Sequence, residues 1–214
     1  MTDAKAQVSG SVSLVSDYRF RGVSLSDGQA EPQLSLGYDS PGGWYAGIFG
    51  SGVELYEVRD QQVIVYAGYS RKRASGLTWE VGATASAFLK TSGYNYAEVF
   101  AGLGLDDLSG RIYVSPSYFG QATPTVYAEL NAAHLIAGRS HVLAHLGYLR
   151  SFSGAENSAI VPFSRFDTLL GVSAGLADWR LQLAWTRTVK NRARYPFYGE
   201  RNTSALVLSA SYSF

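Results

Sequence analysis

Cysteine is absent from the 214-residue chain, which excludes a disulfide scaffold and any thiolate chemistry. Charge is also scarce, because charged residues make up 16% of the sequence, against about 25% in typical soluble domains. The net charge of +1 lacks the basic excess of a nucleic-acid binder, so no nucleic acid is expected as a partner. No apolar run approaches the ~18 residues of a transmembrane helix. The six prolines are scattered and no linker divides the chain, which indicates one domain.

Apolar and polar residues alternate along the whole chain, interrupted at intervals by turn residues. Period-two alternation indicates strands with one apolar face, and no stretch shows sustained helical periodicity. The mean hydropathy of −0.03 fits a transmembrane barrel, in which half of the strand residues face a polar lumen. We therefore predict an all-β fold: a single twelve-stranded antiparallel transmembrane β-barrel of up-and-down topology over residues 1–214, with 1–7 as a periplasmic N-terminal segment. The predicted strands are 8–15, 29–38, 44–53, 62–70, 77–88, 95–105, 110–118, 125–136, 141–150, 164–175, 178–188 and 202–214.

The connections between these strands alternate between two kinds. Short ones with turn residues are 39–43, 71–76, 106–110, 137–140 and 177–178; longer polar ones are 20–28, 53–61, 89–94, 119–124, 150–163 and 188–201. Short periplasmic turns and longer extracellular loops are typical of outer-membrane barrels, and an even strand number places both termini in the periplasm. The chain start lacks the apolar core of a signal peptide, so we expect a mature chain with an added Met1.

The apolar strand faces are predicted to point outward and to end in aromatic side chains. Amphipathic rings at both ends of an apolar band are typical of the two interfacial girdles of a membrane barrel. The predicted girdle residues are Tyr18, Phe20, Tyr38, Trp44, Tyr69, Trp79, Tyr118, Tyr148, Phe166, Trp179, Tyr212 and Phe214. A soluble sandwich or lipocalin is the alternative, and it would bury the Val, Leu and Ala face instead.

The opposite strand faces are polar and aromatic, and we predict that they line the lumen. The candidate lumen and selectivity residues are Asp17, Arg19, Glu31, Tyr45, Tyr66, Glu80, Glu98, Arg111, Tyr113, Glu129, Asp167 and Arg180. The inward rings, with Phe49, Tyr96, Phe100 and Tyr127, could stack against sugars or nucleosides, or could simply fill a narrow barrel. Because unpaired charges in a low-dielectric wall are costly, we expect ion pairs, and Glu98 with Arg111 is the candidate.

The stretch Ser16-Asp-Tyr-Arg-Phe-Arg-Gly-Val-Ser-Leu-Ser-Asp27 resembles the opening of the TorF family of porin-like proteobacterial proteins. Segments 43–51, 97–102 and 115–120 are also similar to that family, whereas Gln33, Leu34 and Ser35 depart from its pattern. The resemblance implies an outer-membrane barrel with a porin role. It supplies no ligand and no catalytic residue to carry over.

Histidine is the usual base of hydrolytic enzymes, and the chain has three: His134, His141 and His145. All three are predicted to lie near the short turn before the ninth strand. His141 and His145 would be roughly 13 Å apart along that strand, too far for one metal. The one Gly-x-Ser-x-Gly match, residues 171–175, falls inside the predicted strand 164–175 and not at a strand-to-helix turn, so it is not a nucleophile elbow. We therefore predict no enzyme, no catalytic residue, no cofactor and no metal.

The sequence as a whole favours an outer-membrane channel of a Gram-negative bacterium for passive diffusion of small hydrophilic solutes. The expected partners are those solutes, outer-membrane lipid and lipopolysaccharide, and the barrel-assembly machinery, which would read the alternating C-terminal strand. The basic segment 187–201 could hold lipopolysaccharide phosphates, draw anions to the mouth, or be a solvated loop. The alternatives are a closed barrel whose loops bind a surface partner, and an outer-membrane enzyme acting on lipid or peptide.

Overall fold

The computed structural model describes residues 6–55, 57–152, 163–191 and 203–214, and in this part of the chain twelve long strands close into one barrel. Two very short strands and two 3₁₀ turns lie between them. No helix in the described ranges is long and apolar enough to cross a membrane. The strands are β1 (Gln7–Val15), β2 (Arg19–Phe20), β3 (Val23–Ser24), β4 (Glu31–Asp39), β5 (Trp44–Leu55), β6 (Val58–Lys72), β7 (Thr78–Phe88), β8 (Tyr96–Leu105), β9 (Leu108–Ser115), β10 (Thr125–Ala137), β11 (Ser140–Ser151), β12 (Ser164–Leu176), β13 (Trp179–Asn191) and β14 (Ser204–Ser213).

Each barrel strand pairs antiparallel with its neighbour, and β1 closes the barrel against β14, where Ser11 lies opposite Ser213. The predicted strand number and up-and-down order are confirmed. Both described ends of the chain lie at the short-turn end of the barrel, since the Gly10 N–H donates to the Phe214 carbonyl. The predicted segment 1–7 overlaps β1 at Gln7, and residues 1–5 lie outside the described ranges.

Two connections differ from the prediction. Most of the expected loop 53–61 is strand, because β5 continues to Leu55, β6 begins at Val58, and these two residues pair. The expected loop 20–28 contains the small hairpin β2–β3, whose rings and charges enter the barrel. Alternation identifies strands that line a wall, but it gives no sign of where an irregular loop folds.

The apolar strand faces lie outside, as predicted. Leu14, Val99 and Leu170 are each more than half exposed, at 56%, 60% and 58%. A soluble sandwich or lipocalin would bury this face, so the exposed apolar wall excludes that alternative. A contiguous apolar surface of this extent is suited to lipid rather than to water.

Most of the predicted girdle residues stand on this outer surface. At the short-turn end, ring centroids lie 5.2 Å apart for Trp44–Tyr69, 5.6 Å for Tyr69–Trp79 and 5.3 Å for Trp179–Tyr212. Tyr38 and Phe214 are exposed there as well, and Tyr148 contacts Phe166 nearer the long loops.

Three girdle predictions are wrong, because Tyr18, Phe20 and Tyr118 point into the barrel. Tyr18 and Tyr118 are 7% and 3% exposed and belong to a buried apolar cluster, and Phe20 lines the lumen. All three lie in connections rather than in wall strands, so strand alternation does not fix their direction.

The long-loop half of the lumen is filled by buried inward side chains, which we call the sealing layer. Every barrel strand except β14 contributes at least one of them, and the loop residues Leu25 and Phe119 pack among them. By contrast, inward residues nearer the short turns, such as Tyr45, Glu129 and His145, are only half-buried. The sealing layer comprises Val15, Glu31, Val53, Gln62, Phe88, Tyr96, Glu98, Ser115, Thr125, Tyr127, Leu149, Ser151, Arg165, Asp167, Ala184, Thr186 and Thr188.

Candidate functional site: the lumen and its inward hairpin

Below the sealing layer the lumen holds a cavity of about 770 Å³, which we call the main cavity. It reaches Asp107 and Ala133 at the short-turn end and is bounded at the other end by Phe20 and Arg21 of the inward loop. A second cavity of about 300 Å³ lies beside it along β1, β13 and β14. Volumes of a few hundred cubic ångströms are in the range of small-molecule sites.

The inward loop is built around the β2–β3 hairpin, residues 19–24, which we call the Arg21 hairpin. Its strands pair Arg19 with Ser24 and Phe20 with Val23, which leaves a two-residue turn of Arg21 and Gly22. Both turn residues have positive φ, +49° and +77°, as a type I′ turn requires. Glycine adopts this region freely, but an arginine there is strained. Such strain persists when surrounding contacts hold it, and it marks Arg21 as a candidate functional residue.

Those contacts are concentrated on the Arg21 guanidinium, which is almost fully buried. It donates two parallel hydrogen bonds to Glu98, Nη1 to Oε1 at 2.9 Å and Nη2 to Oε2 at 2.6 Å. The exposed fractions of the two side chains are 6% and 3%. The guanidinium carbon also lies over four aromatic rings at 4.2–5.3 Å from their centroids: Tyr127, Tyr113, Phe20 and Tyr118. A bidentate ion pair inside an aromatic box is a strong and geometrically specific arrangement.

The other residues of the Ser16–Asp27 stretch hold the hairpin in place. Asp17 accepts from Arg19 Nε at 2.8 Å and from the Ser24 hydroxyl at 2.5 Å. Tyr18 donates its hydroxyl to Gln62 on β6 at 2.9 Å. On the opposite wall, the Gly22 carbonyl accepts from the Thr188 hydroxyl at 2.6 Å. The loop therefore crosses the lumen and is bonded to both sides of it.

Gly22 is required at this crossing for a steric reason as well. A Cβ atom at this position would collide with the Asp167 Cβ and with the Thr188 hydroxyl. Within the Ser16–Asp27 stretch, Arg21 thus supplies a cation that reaches Glu98, and Gly22 is small enough to lie against the opposite wall at Thr188.

The predicted ion pair between Glu98 and Arg111 is wrong. In the register of β8 and β9, Arg111 lies opposite Gly102, four residues from Glu98 and about 13 Å along the strand. Arg111 instead donates to Glu80 on β7, with Nε to Oε1 at 2.5 Å, and Glu80 also accepts from the Tyr45 hydroxyl at 2.7 Å. Gly102 permits this pair, because a Cβ there would lie 2.7 Å from the Glu80 carboxylate and 2.9 Å from Arg111 Cγ.

Glu129 and Asp167 are lumen carboxylates that form no ion pair with Arg21 or Arg111. They flank Gly147 on neighbouring strands, since Gly147 is opposite both of them in register. Among the described residues, Glu129 makes no hydrogen bond or ion pair even though Arg111 is directly opposite it, and the buried Asp167 Oδ2 also lacks a hydrogen-bond partner. Asp167 Oδ1 bonds to His145 Nε2 at 2.9 Å and to the Tyr127 hydroxyl at 3.2 Å.

The structure brings eight of the twelve predicted lumen residues together around the main cavity. Asp17 borders the second cavity, and Glu80 reaches the wall of the first through Arg111. Glu31 lies in the sealing layer, where Arg59 binds it at 2.7 Å, and Arg180 is exposed and lines neither cavity. The eight are Arg19, Tyr45, Tyr66, Glu98, Arg111, Tyr113, Glu129 and Asp167.

Arg21 is the residue that sequence reasoning missed. It lies inside the most distinctive stretch of the chain, and its pairing with glycine could have predicted a type I′ turn. The sequence does not indicate that the Arg21 side chain points into the barrel, because Arg21 belongs to a loop and strand alternation does not apply there.

The histidines lie where the sequence placed them. His145 is in the lumen, with Nδ1 2.7 Å from Asn131 Oδ1, and His134 is exposed beside Asp107. Within the described ranges, no group of three His, Cys, Asp or Glu side chains is arranged to hold a metal ion. The predicted basic segment 187–201 falls largely outside the described residues.

The fold and the lumen define the chain as a closed twelve-stranded barrel with a polar, partly filled interior. It belongs to the family described as bacterial protein of unknown function (Gcw_chp), whose model matches residues 2–211. No curated protein matches the sequence. The TorF name is not among these matches and stays a prediction.

Solved porin structures share the barrel fold. The KdgM porin superposes with a TM-score of 0.58 at 11% identity, and a second structure, KdgM porin in complex with disordered oligogalacturonate, gives 0.54 at 12%. Each alignment covers 97% of this chain and 98% of KdgM. At this identity the likeness is one of fold.

Proposed function

We propose that the protein is an outer-membrane channel for small hydrophilic solutes and that the Arg21 hairpin closes its lumen in the described conformation. One observation carries the proposal: the barrier between the main cavity and the long-loop end of the barrel is formed partly by a loop, the Arg21 hairpin, and not by wall strands alone. The hairpin is fixed to the walls by hydrogen bonds and one ion pair, so it can leave the lumen without breaking the barrel ladder. The likeness to the KdgM fold is consistent with this role.

The outer surface supports a membrane location. An exposed apolar wall bordered by Trp and Tyr rings suits a bilayer between two interfaces. We place the short turns and both termini in the periplasm, the usual arrangement of such barrels. The main cavity then faces the periplasm and the sealing layer faces outward. Outer-membrane lipid, lipopolysaccharide and the barrel-assembly machinery are the partners that this placement proposes.

Solute uptake into proteoliposomes tests the channel. Vesicles that contain the protein should swell faster than empty vesicles in an isotonic monosaccharide solution. Replacing the Arg21 hairpin by a short Gly-Ser connection should increase the swelling rate, because it removes the group that crosses the lumen. If vesicles with either protein swell no faster than empty ones, the channel role is wrong.

The sealing layer favours a second function, a closed barrel whose long loops bind a surface partner. In that case the buried side chains of the layer, such as Leu149 and Tyr127 at 0% and 1% exposure, would keep the lumen shut even without the hairpin. Vesicles with the hairpin-replaced protein therefore distinguish the two functions: they should swell faster than empty vesicles if the protein is a channel, and no faster if it is a closed barrel.

A further inference from the structure

We propose that the solutes of this channel are small organic cations, guanidinium or alkylammonium compounds, and that Arg21 occupies their binding position when the barrel is closed. This proposal rests on the channel function above and adds the chemical class of the solute. The proposal is carried by one observation: a loop of the chain places a cation, the Arg21 guanidinium, against a carboxylate and two rings of the lumen wall.

The wall part of that site consists of Glu98 and the rings of Tyr113 and Tyr127, which lie on three consecutive strands, β8 to β10. Glu98 is buried and presents both carboxylate oxygens to the Arg21 guanidinium. The two rings lie 4.9 and 4.2 Å from the guanidinium carbon. When the hairpin leaves, the wall retains a buried carboxylate beside two ring faces, which is the recognition chemistry of organic cations.

The charge of the main cavity favours the same class of solute. The arginines that line it are already neutralised: Arg21 by Glu98, Arg111 by Glu80 and Arg19 by Asp17. Glu129 lines the cavity without an ion pair in the described part of the chain, and Asp167 Oδ2 is buried without a hydrogen-bond partner. Even if Asp167 is set aside because of its contact with His145, Glu129 leaves the lining with a negative excess that attracts cations.

The strained conformation of Arg21 fits a displaceable internal ligand. The backbone of Arg21, at φ +49°, lies in the left-handed region. A non-glycine residue stays in this strained conformation only when its surrounding contacts hold it there. A free guanidinium solute could make the same contacts with Glu98 and the rings without that backbone strain. Competition between the solute and Arg21 would then couple solute binding to withdrawal of the hairpin.

Calorimetric titration of the full-length barrel in detergent micelles tests the site apart from conduction. Methylguanidinium chloride is the probe, methylurea is its neutral counterpart, and the ionic strength is held constant. Arg21→Ala should bind one methylguanidinium at least about tenfold more tightly than the wild type, since the box is vacated. Arg21→Ala/Glu98→Gln should lose at least about tenfold of that affinity, as expected for the loss of a charge-assisted bidentate contact.

Arg59→Ala is the matched control, because Arg59 also binds a buried carboxylate, Glu31, but outside the aromatic box. It should bind the probe as weakly as the wild type does. Folding is checked for every variant by gel mobility without boiling, and Arg21→Met replaces Arg21→Ala if the latter does not fold. Equal affinity of the vacated box for methylguanidinium and methylurea, or no loss on Glu98→Gln, would overturn the site.

The two proposals fail in different ways. Probe binding to Arg21→Ala without solute uptake by any variant would contradict the channel and leave the cation site standing. Uptake without probe binding would contradict the cation site and leave the channel standing.

Discussion

Among single residues, the pairing of Arg21 with Glu98 is what holds the inward hairpin against the lumen wall. Both side chains are nearly inaccessible to water, so each needs the other: a buried charge without a partner is strongly destabilising. The four rings around the guanidinium add cation–π attraction in the same dehydrated space.

We expect Arg21→Ala to lower the free energy of unfolding by about 3 kcal/mol, because it leaves Glu98 buried and unpaired. Glu98→Gln should also destabilise the barrel, and the double variant should lose clearly less than the sum of the two single changes. Urea unfolding of the four proteins in the same detergent measures this coupling. Additive losses would mean that the two groups do not interact as described.

Residues of the lumen also show where sequence reasoning stops. Glu98 and Arg111 share a face on adjacent strands, and the sequence predicts that much. The actual partner of Arg111 depends on the register of β7, β8 and β9, which places Gly102 between Arg111 and Glu80. Because Gly102 has no side chain, Arg111 can reach across it to Glu80. No pattern in a single sequence gives that register.

At the scale of elements, the wall strands follow from alternation, whereas the loops do not. The twelve strands and their outward faces were predictable because period two is imposed by the pleat itself. The inward fold of residues 16–30 was not predictable, because a loop has no periodicity and its direction is set by distant contacts with Gln62 and Thr188.

Gly22→Ala should detach the Arg21 hairpin from the far wall. The added methyl group would collide with Asp167 and Thr188. The alanine backbone would also have to adopt a φ of +77°, which is unfavourable for any residue with a Cβ atom. We expect faster amide hydrogen exchange over residues 19–24. Gly93→Ala is the matched control, since a Cβ atom there meets nothing within 4 Å. Unchanged exchange in Gly22→Ala would show that the hairpin is not docked as described.

A second loop contact, at Asp60, predicts a dependence on pH. Asp60 lies on β6 between the exposed polar residues Arg59 and Gln61, beyond the apolar part of the outer wall. Burial raises the pKa of Asp60, but hydrogen bonds from the Thr91 side chain and from backbone N–H groups, including that of Lys90, outweigh it. The pKa of Asp60 is therefore below its ordinary value of 3.8.

Because the folded pKa is depressed, this contact stabilises the 89–94 loop fully above pH 3.8 and loses that effect as the pH falls through the folded pKa. Amide exchange over 89–94, corrected for intrinsic rates, should accelerate in acid. Asp60→Asn should exchange faster already at neutral pH and lose the pH dependence. Asp106→Asn, at the short-turn end, is the control. An acid-insensitive loop in the wild type would contradict the assignment.

In the whole molecule, the closure of β1 against β14 joins the chain end to the apolar outer wall of the barrel. The Phe214 ring packs over Gly10, where a Cβ would lie 2.5 Å from it, and stacks beside Tyr212. The alternating C-terminal strand thus has two roles in the account: it completes the barrel ladder, and it presents the aromatic end by which we propose assembly is directed.

We expect Gly10→Leu and Phe214→Ala to reduce the fraction of folded barrel in outer-membrane preparations, because each disturbs the closing seam. Gel mobility with and without boiling measures that fraction. Gly104→Ala is the matched control, since its Cβ would meet nothing nearer than 3.8 Å. Normal folded fractions in both seam variants would contradict the proposed role of the terminus.

Single-channel recording in planar bilayers shows whether the Arg21 hairpin closes a channel, when the wild type is compared with a variant whose residues 19–24 are replaced by a short Gly-Ser connection. If the Arg21 hairpin closes a channel, the wild type should give small or rare current steps, and the variant should give larger and more frequent ones. Bilayers that stay silent with both proteins, or identical currents from the two, would contradict the account.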